Sequence, residues 1–396
     1  MFKGIGITLG CWVIGAVVLR LAVLQPEQCT PVDRAAMEFA AVEAANWIER
    51  ALQPDGSYIY EWDASENHFP DDYNEVRHAG VTMSLYQWAA LGNHDYLDAA
   101  DQGLEWMLTN VERDDDWAGL KNPRSPWMKL GATSLMTVGL AMRREATGDT
   151  AYDELLREMG RFMLLLQRED GSFLNFWDLN NDEPVPEITS LFATGEAFWA
   201  LVFLHEAFPD EGWDEPAEAV AWYLATQRDD DEDFPFPPWP DQWAAYGLAE
   251  MAHWGLQEEH IDYARSIAGR FGFVMRFESQ RRDSTFSFLT RGPQVRGGAV
   301  GVWMEGIAGL WRIATVDDRM ADMREPLRER ALCGAGMLVE RQVSPEEAKD
   351  YAEPDVARGA WFYDDITRMD DQQHALSALI LAMELLDDDG ERTWSR

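Results

Sequence analysis

Gln167-Arg168-Glu169-Asp170-Gly171-Ser172-Phe173 decides the reading of this chain, because Gln53-Pro54-Asp55-Gly56-Ser57-Tyr58 repeats its Gln, its Asp-Gly-Ser and its aromatic. Asp-Gly and Gly-Ser are turn pairs, and the flanking aromatics suit a short hairpin. Gln227 opens a third, degenerate copy, and Gln342 stands where a fourth would begin. Each copy follows an amphipathic helical segment and precedes one rich in Ala, Gly and large apolar residues, which reads as buried on every side.

Working outward, the two kinds of segment pair six times. The pairs are Arg34–Leu52 with Glu75–Leu91, Tyr96–Val111 with Lys129–Thr147, and Tyr152–Gln167 with Thr189–Phe208. Pro216–Gln227 with Asp241–Trp254, Ile261–Ser279 with Arg296–Ala314, and Met320–Gln342 with Asp371–Leu386 complete the set. A regular repeat of helical pairs means a solenoid or a closed array. Loops entering the second helix of each pair are long, and loops leaving it are short, as at Gly92-Asn93-His94-Asp95 and Gly148-Asp149-Thr150. Six buried helices ringed by six outer ones then run parallel and gather their long loops at one mouth, where a site is built. No linker divides residues 26–396, which read as one domain.

The pattern resembles the six-hairpin α/α-toroid proteins, among them glycoside hydrolases, uronate-handling lyases and epimerases, and terpenoid cyclases. The resemblance implies an all-α fold, an (α/α)6 toroid, over nearly all of residues 30–390. The Gln167–Phe173 stretch looks like the terpenoid-cyclase repeat, but that chemistry needs an acidic D-x-D-D motif ahead of a helix. Asp114-Asp115-Asp116 and Asp229-Asp230-Asp231 lie in polar loops instead. Fold alone does not give function.

Composition sets limits on partners. Asp plus Glu is 71 against 33 Lys plus Arg, a formal charge of −38. That excludes nucleic acid as a partner, since phosphate neutralisation needs a basic surface, and it disfavours general adhesion to anionic lipid. A solvated acidic surface accounts for the charge. Gly4–Leu24 carries only Arg20 as a charged residue, and the run matches a bilayer core in length. Lys3 before it and acidic sequence after it orient a single-pass, uncleaved anchor over residues 1–25, with the body in the periplasm or cell exterior. A cleaved signal peptide is the rival, although no clear cleavage site follows Leu21-Ala22-Val23-Leu24. Of the three cysteines, Cys11 sits in the apolar run. Whether Cys29 and Cys333 pair is not legible from sequence.

The mouth is read from the starts of the inner helices. Tyr73-Asn74-Glu75-Val76-Arg77-His78 opens the first, with Asn74 as N-cap and Glu75 in its first turn. Arg77 and His78 on an apolar helix are either a functional pair or part of a structural ion pair. Arg368-Met369-Asp370-Asp371-Gln372-Gln373-His374 opens the sixth, which neighbours the first in a closed ring. His374 and His78 would then face each other across the seam. At a helix start the dipole favours neutral imidazole, so His374 beside a carboxylate is a candidate general base. Glu305, midway along a glycine-rich inner helix, is either an acid with a raised pKa or a salt-bridge partner of Arg296, Arg291 or Arg312.

Catalytic candidates are therefore Glu305, His374, Asp370, His78 and Tyr73. The last rests on the resemblance to toroid lyases and epimerases that use tyrosine. Substrate-binding candidates are Arg77, Arg296, Arg368, Asn74, Trp239 and Gln373. Glu187, Thr189, Glu196, Lys129, Asp241, Gln242 and Tyr246 are further mouth residues. Phe234-Pro235-Phe236-Pro237-Pro238-Trp239-Pro240 forms an aromatic loop that suits sugar stacking or a core cover. No metal motif, phosphate loop or dinucleotide fingerprint occurs, so no metal or cofactor is expected. Inner-helix dipoles with three arginines point to an anionic substrate. The expectation is a membrane-anchored carbohydrate-active enzyme on a uronate-containing polysaccharide or oligosaccharide, by hydrolysis or by lyase or epimerase chemistry. The rivals are a non-catalytic binder of a polymer or partner protein, and a terpenoid-type lipid enzyme.

Overall fold

The computed structural model describes residues 2–22, 27–186, 190–232, 240–282 and 284–387, with side chains of the first helix described over 6–20. α1 (Phe2–Ala22) precedes the body. The outer helices are α2 (Arg34–Ala51), α4 (Leu97–Thr109), α6 (Asp153–Leu166), α8 (Asp214–Thr226), α11 (Glu258–Ser279) and α14 (Arg324–Arg341). The inner helices are α3 (Glu75–Ala90), α5 (Leu130–Thr147), α7 (Ala193–Ala207), α10 (Gln242–Met251), α13 (Gly297–Val316) and α16 (Met369–Asp387). Among the described residues, the short helices α9 (Arg228–Asp231), α12 (Thr285–Arg291) and α15 (Pro354–Ala357) lie in the long loops. All twelve expected barrel segments are helices, with ends within a few residues of those read from sequence.

Packing follows the ring. α3 touches α5, and contacts then pass from α5 to α7, α10, α13 and α16, and back to α3. The inner helices are apolar around their whole circumference, as burial on both sides requires. α7 is buried from Ala193 through Leu204, and α5 from Leu130 through Met142. The core is accordingly one continuous body of side chains between the two layers.

The seven strands among the described residues lie in the long loops of one rim: β1 (Glu61–Asp63), β2 (Val111–Arg113), β3 (Ala118–Leu120), β4 (Trp127–Lys129), β5 (Phe176–Asp178), β6 (Glu183–Pro184) and β7 (Ile366–Arg368). β1 pairs antiparallel with β7, with Glu61 opposite Arg368, so the first and last loops join where the ring closes. β4 pairs with β5 and links the second and third loops. The repeated turns form as read: Leu52 bridges Tyr58, and Gln167 bridges Phe173. Asp55 accepts hydrogen bonds from the Ser57 amide and hydroxyl, and Asp170 does the same for Ser172. Gly56 and Gly171 hold φ of 83° and 90°, where a side chain would strain the backbone. A Cβ on Gly171 would also lie 2.2 Å from the Ala219 carbonyl oxygen.

Cys29 and Cys333 form a disulfide, with their Cα atoms 4.7 Å apart. It fastens the segment after α1 to α14. Glu27 pairs with Arg330 at 3.1 Å, and the Gln28 amide donates to the Ser279 hydroxyl at 3.3 Å. Among the described residues no helix is long and apolar enough to cross a membrane. The transmembrane reading of residues 1–25 is therefore not a feature of the described fold, and it rests on the sequence run alone.

The crosslink closes a long loop, so it restricts the unfolded chain more than the folded one. Cys29→Ser with Cys333→Ser should lower unfolding free energy by about 2–4 kcal/mol, measured by urea denaturation against the oxidised parent.

Candidate functional site

At the rim that carries the strands, the N-terminal ends of the inner helices surround a cavity of about 280 Å³. Its wall includes Arg77 of α3, Lys129 ahead of α5, Glu196 of α7, Gln242 and Trp243 of α10, and Gln373 and His374 of α16.

His374 and Glu305 come together. His374 Nδ1 lies 2.9 Å from Glu305 Oε2, and Glu305 is fully buried. The sequence offered three arginines as partners for Glu305, and the histidine of the next inner helix takes that place instead. Burial pushes the Glu305 carboxyl up, and the His374 charge and hydrogen bond oppose that push. Burial alone would lower His374, but the Glu305 charge and hydrogen bond, with Asp370 and Asp371, hold it above the ordinary imidazole range. The shift runs against the helix dipole, which favours the neutral imidazole, because adjacent carboxylates outweigh a partial charge. With Nδ1 donating to Glu305, Nε2 is the nitrogen left to the cavity. Trp243 lies against the imidazole, with ring centroids 5.9 Å apart.

Glu196 stands across the cavity, on the third inner helix of six, opposite the sixth. Burial and the charge of Asp241 push its carboxyl up to about 8, against weaker pulls from His374 and Lys129. It is thus a neutral acid at pH 7. A Cβ on Gly131 of α5 would lie 1.9 Å from Glu196 Oε2, so that glycine makes the space the carboxyl occupies. Glu196 was only a secondary candidate by sequence. Its signal was an acidic residue in the first turn of an otherwise apolar helix, which an N-terminal capping role explains equally well.

The remaining candidates divide. Asp370 lines the cavity but is held by Arg77 at 3.2 Å and Arg368 at 3.3 Å. Arg77 also meets Tyr60, donating from Nη1 to its hydroxyl and lying over the ring. Arg296 forks onto Asp371 at 3.1 and 3.0 Å and lies over Tyr363, and neither it nor Arg368 is in the cavity wall. The three arginines expected to hold an anionic substrate are thus each matched by a carboxylate. Asn74 caps α3 by accepting from the Val76 and Arg77 amides and also lines the cavity, as does Gln373. Lys129 pairs with buried Glu75 at 3.2 Å.

His78 and Tyr73 do not reach the site. His78 points between α3 and α4, with Nε2 2.8 Å from the Gly103 carbonyl, Nδ1 2.6 Å from the Tyr73 hydroxyl, and its ring stacked on Trp106. Burial pushes its pKa down to about 3, so it is a neutral packing residue that does not face His374. The Tyr73 hydroxyl also accepts from the Tyr58 amide, and burial pushes its phenol far up. Trp239, Glu187 and Thr189 lie outside the described residues. Among the described residues no group of three or more His, Cys, Asp or Glu is placed to hold a metal ion.

No family model matches the chain, and no curated protein matches it. Solved structures do. The unsaturated glucuronyl hydrolase specific for heparin is similar at TM-score 0.64 and 12% identity, covering 91% of this chain and 100% of its own. Cellobiose 2-epimerase from Spirochaeta thermophila is similar at TM-score 0.60 and 14% identity, covering 89% and 98%. A type II terpene cyclase from Scytonema is similar at TM-score 0.53 and 12% identity, covering 89% and 97%. These likenesses show the fold alone, an α/α toroid, and single out no family.

The Glu196 shift has a consequence for stability. Its folded pKa is raised, so the folded state holds a proton that the unfolded state releases above about 4.5. The stability this proton confers is full below that pH and is lost as pH rises through about 8. Glu196→Gln should remove the loss, and its stability relative to the parent should climb by on the order of 4 kcal/mol from pH 4 to pH 8.5. Denaturation midpoints across that range measure it.

Proposed function

We propose that the protein is a carbohydrate-active enzyme that moves protons at a single sugar ring held in the mouth cavity. The observation that carries the reading is the placement of a neutral carboxylic acid, Glu196, opposite an imidazole oriented by a buried carboxylate, His374 with Glu305. An acid and a base on opposite sides of one ring serve epimerisation, isomerisation, elimination and inverting hydrolysis alike. Similar solved structures include a glucuronyl hydrolase and a cellobiose epimerase, which supports a saccharide substrate. The cavity of about 280 Å³ lies just under the usual range for ligand pockets, which suits one ring with its neighbour at the opening.

In its unprotonated form His374 takes the proton at Nε2, Glu305 stabilises the imidazolium that forms, and Glu196 donates to the oxygen on the far side. Trp243 and Phe176 offer flat faces to the ring. Because Arg296 and Arg368 are matched by Asp371 and Asp370, the substrate is chosen by shape and hydrogen bonding more than by charge. A uronate remains within reach of Arg77 and Lys129, and the substrate panel tests it beside neutral sugars.

The protein also works outside the cytoplasm, on this proposal. The Cys29–Cys333 disulfide suits an oxidising compartment. Gly4–Leu24, with Arg20 as its only charge, would anchor the body to the inner membrane as a single span.

The full chain, incubated with neutral and uronate-containing oligosaccharides and followed by NMR for reducing ends, unsaturated products and C–H exchange, should turn one class over. His374→Ala and Glu196→Gln should each lower kcat by 10²–10⁴-fold with the fold retained. A folded parent silent on every sugar rejects the enzyme and leaves a binder. Activity should also fall as pH rises through about 8, as Glu196 ionises, and Gly131→Ala should lower kcat by displacing the same carboxyl.

A further inference from the structure

We infer that Gln242 and Gln373 are the residues by which the mouth cavity chooses its substrate, and that they read two hydroxyl groups of a neutral pyranose. The inference rests on the saccharide reading proposed above and narrows it, by naming the class of sugar and the side chains that recognise it.

Gln242 opens α10, and Gln373 stands at the end of the first turn of α16. Both border the cavity, and each is only 2% exposed. Yet each amide is left incomplete. Among the described residues nothing donates to Gln242 Oε1, and nothing accepts from Gln373 Nε2. Buried polar side-chain atoms in a folded protein generally have a partner, and an exception asks for a physical reason. Two exceptions in the wall of one cavity have a common reason if a ligand completes them.

The surroundings hold both in place. The Gln373 amide lies flat against Gly80 of α3, where a Cβ would be 2.5 Å from Oε1, 2.8 Å from Cδ and 2.9 Å from Nε2. Gln242 follows Asp241, whose carboxylate caps α10 by accepting from the Trp243 and Ala244 amides and pairs with Arg228 at 2.6 Å. Those bonds fix the helix start from which Gln242 leaves. The same neighbours set the two amides at the reacting ring. Gln373 directly precedes His374, the base. Asp241 packs on Gly195, where a Cβ would be 2.5 Å from Oδ2, and Gly195 directly precedes Glu196, the acid.

The chemistry of the pair names the group they read. Gln242 Oε1 only accepts, so its partner must carry a hydrogen. Gln373 Nε2 only donates, so its partner must carry a lone pair. A hydroxyl meets either demand. An ionised carboxylate cannot serve Gln242 and would set oxygen against oxygen there. The cations of the wall do not offset that loss, because Arg77 is matched by Asp370 and Lys129 by Glu75, each at 3.2 Å. Trp243 and Phe176 of the same wall add flat faces for the C–H side of an uncharged ring. A site built to hydrogen-bond a hydroxyl discriminates strongly, since a ligand without it leaves the buried partner unpaired.

The test titrates the full chain, by saturation-transfer NMR and calorimetry, with D-glucose, D-mannose, D-galactose, cellobiose, D-glucuronate and D-galacturonate. The expected result is binding of at least one neutral sugar in preference to the uronates. Gln242→Met and Gln373→Met should each raise the Kd for that sugar about tenfold. The unfolding midpoint of the free protein should hold or rise in both, since an apolar side chain replaces an amide that lacks a partner. Where the sugar is turned over, the same variants should raise KM and leave kcat within a few-fold, the reverse of His374→Ala. Preference for a uronate overturns the neutral class and leaves the saccharide enzyme standing. Unchanged affinity in the methionine variants, or a lowered midpoint in the free protein, makes the amides structural and overturns their role, again without touching the enzyme reading. Binding of none of the six sugars overturns this inference and the saccharide reading together.

Discussion

The carboxylate of Asp371 is the point on which the closed ring depends. It accepts from Arg296 through both nitrogens of the fork, from the Gly298 amide at 3.1 Å, and from the Arg368 amide at 3.1 Å. Those bonds join the start of α13, the start of α16 and the end of β7. β7 in turn pairs with β1 of the first loop, so one buried group ties the fifth, sixth and first hairpins together. Burial and the neighbouring Asp370 push its carboxyl up, and the guanidinium holds against that. A buried fork of this kind adds little to net stability compared with apolar packing, but it fixes geometry, and loss of one partner leaves an uncompensated charge. His374 follows one turn later on α16, so its distance to Glu305 is set by the same junction.

Glycine explains how polar side chains enter helices that are otherwise apolar all round. A Cβ on Gly298 would lie 2.9 Å from Asp371 Oδ1, and on Gly195 it would lie 2.5 Å from Asp241 Oδ2. Gly80 faces the Gln373 amide in the same way, and Gly131 faces Glu196. In each case the glycine sits on one inner helix and the polar group on the next. The Ala and Gly richness of these segments therefore serves two ends: it brings backbones close, and it leaves slots at the mouth into which carboxylates and amides fit without solvent. Desolvated in such a slot, Glu196 keeps its proton near neutrality.

The fold was legible because two physical signals agree. Helices buried on both sides have no polar stripe, and the loops that build a site are longer than the loops that only turn the chain. Those signals placed α3 and α16 beside each other and set Glu305 and His374 on neighbouring helices. They did not specify which way a side chain leaves its helix. His78 and Arg77 are adjacent in sequence, yet one points outward to Gly103 and the other to the mouth, because successive residues on a helix lie about 100° apart. Nor did residue type reveal pairing. Three arginines suggested an anion site, and the folded chain sets Asp370, Asp371 and Glu61 against them. Cys29 and Cys333 lie 304 residues apart, a separation at which no local rule speaks.

The symmetry of the ring then constrains the chemistry. Six inner helices point their positive ends at one cavity, and that field would favour ionised carboxylates at every helix start. Asp241 and Asp371 stand at two of these starts as buried partners of Arg228 and Arg296. Glu196 occupies an equivalent first turn without an arginine, and burial with the Asp241 charge overcomes the dipole. Glu196, a mouth carboxyl without a guanidinium, thus retains a proton, and it stands opposite His374, which borders the cavity. Acid and base differ here through their partners more than through their residue types, and the partners are arranged by the order of the helices around the ring.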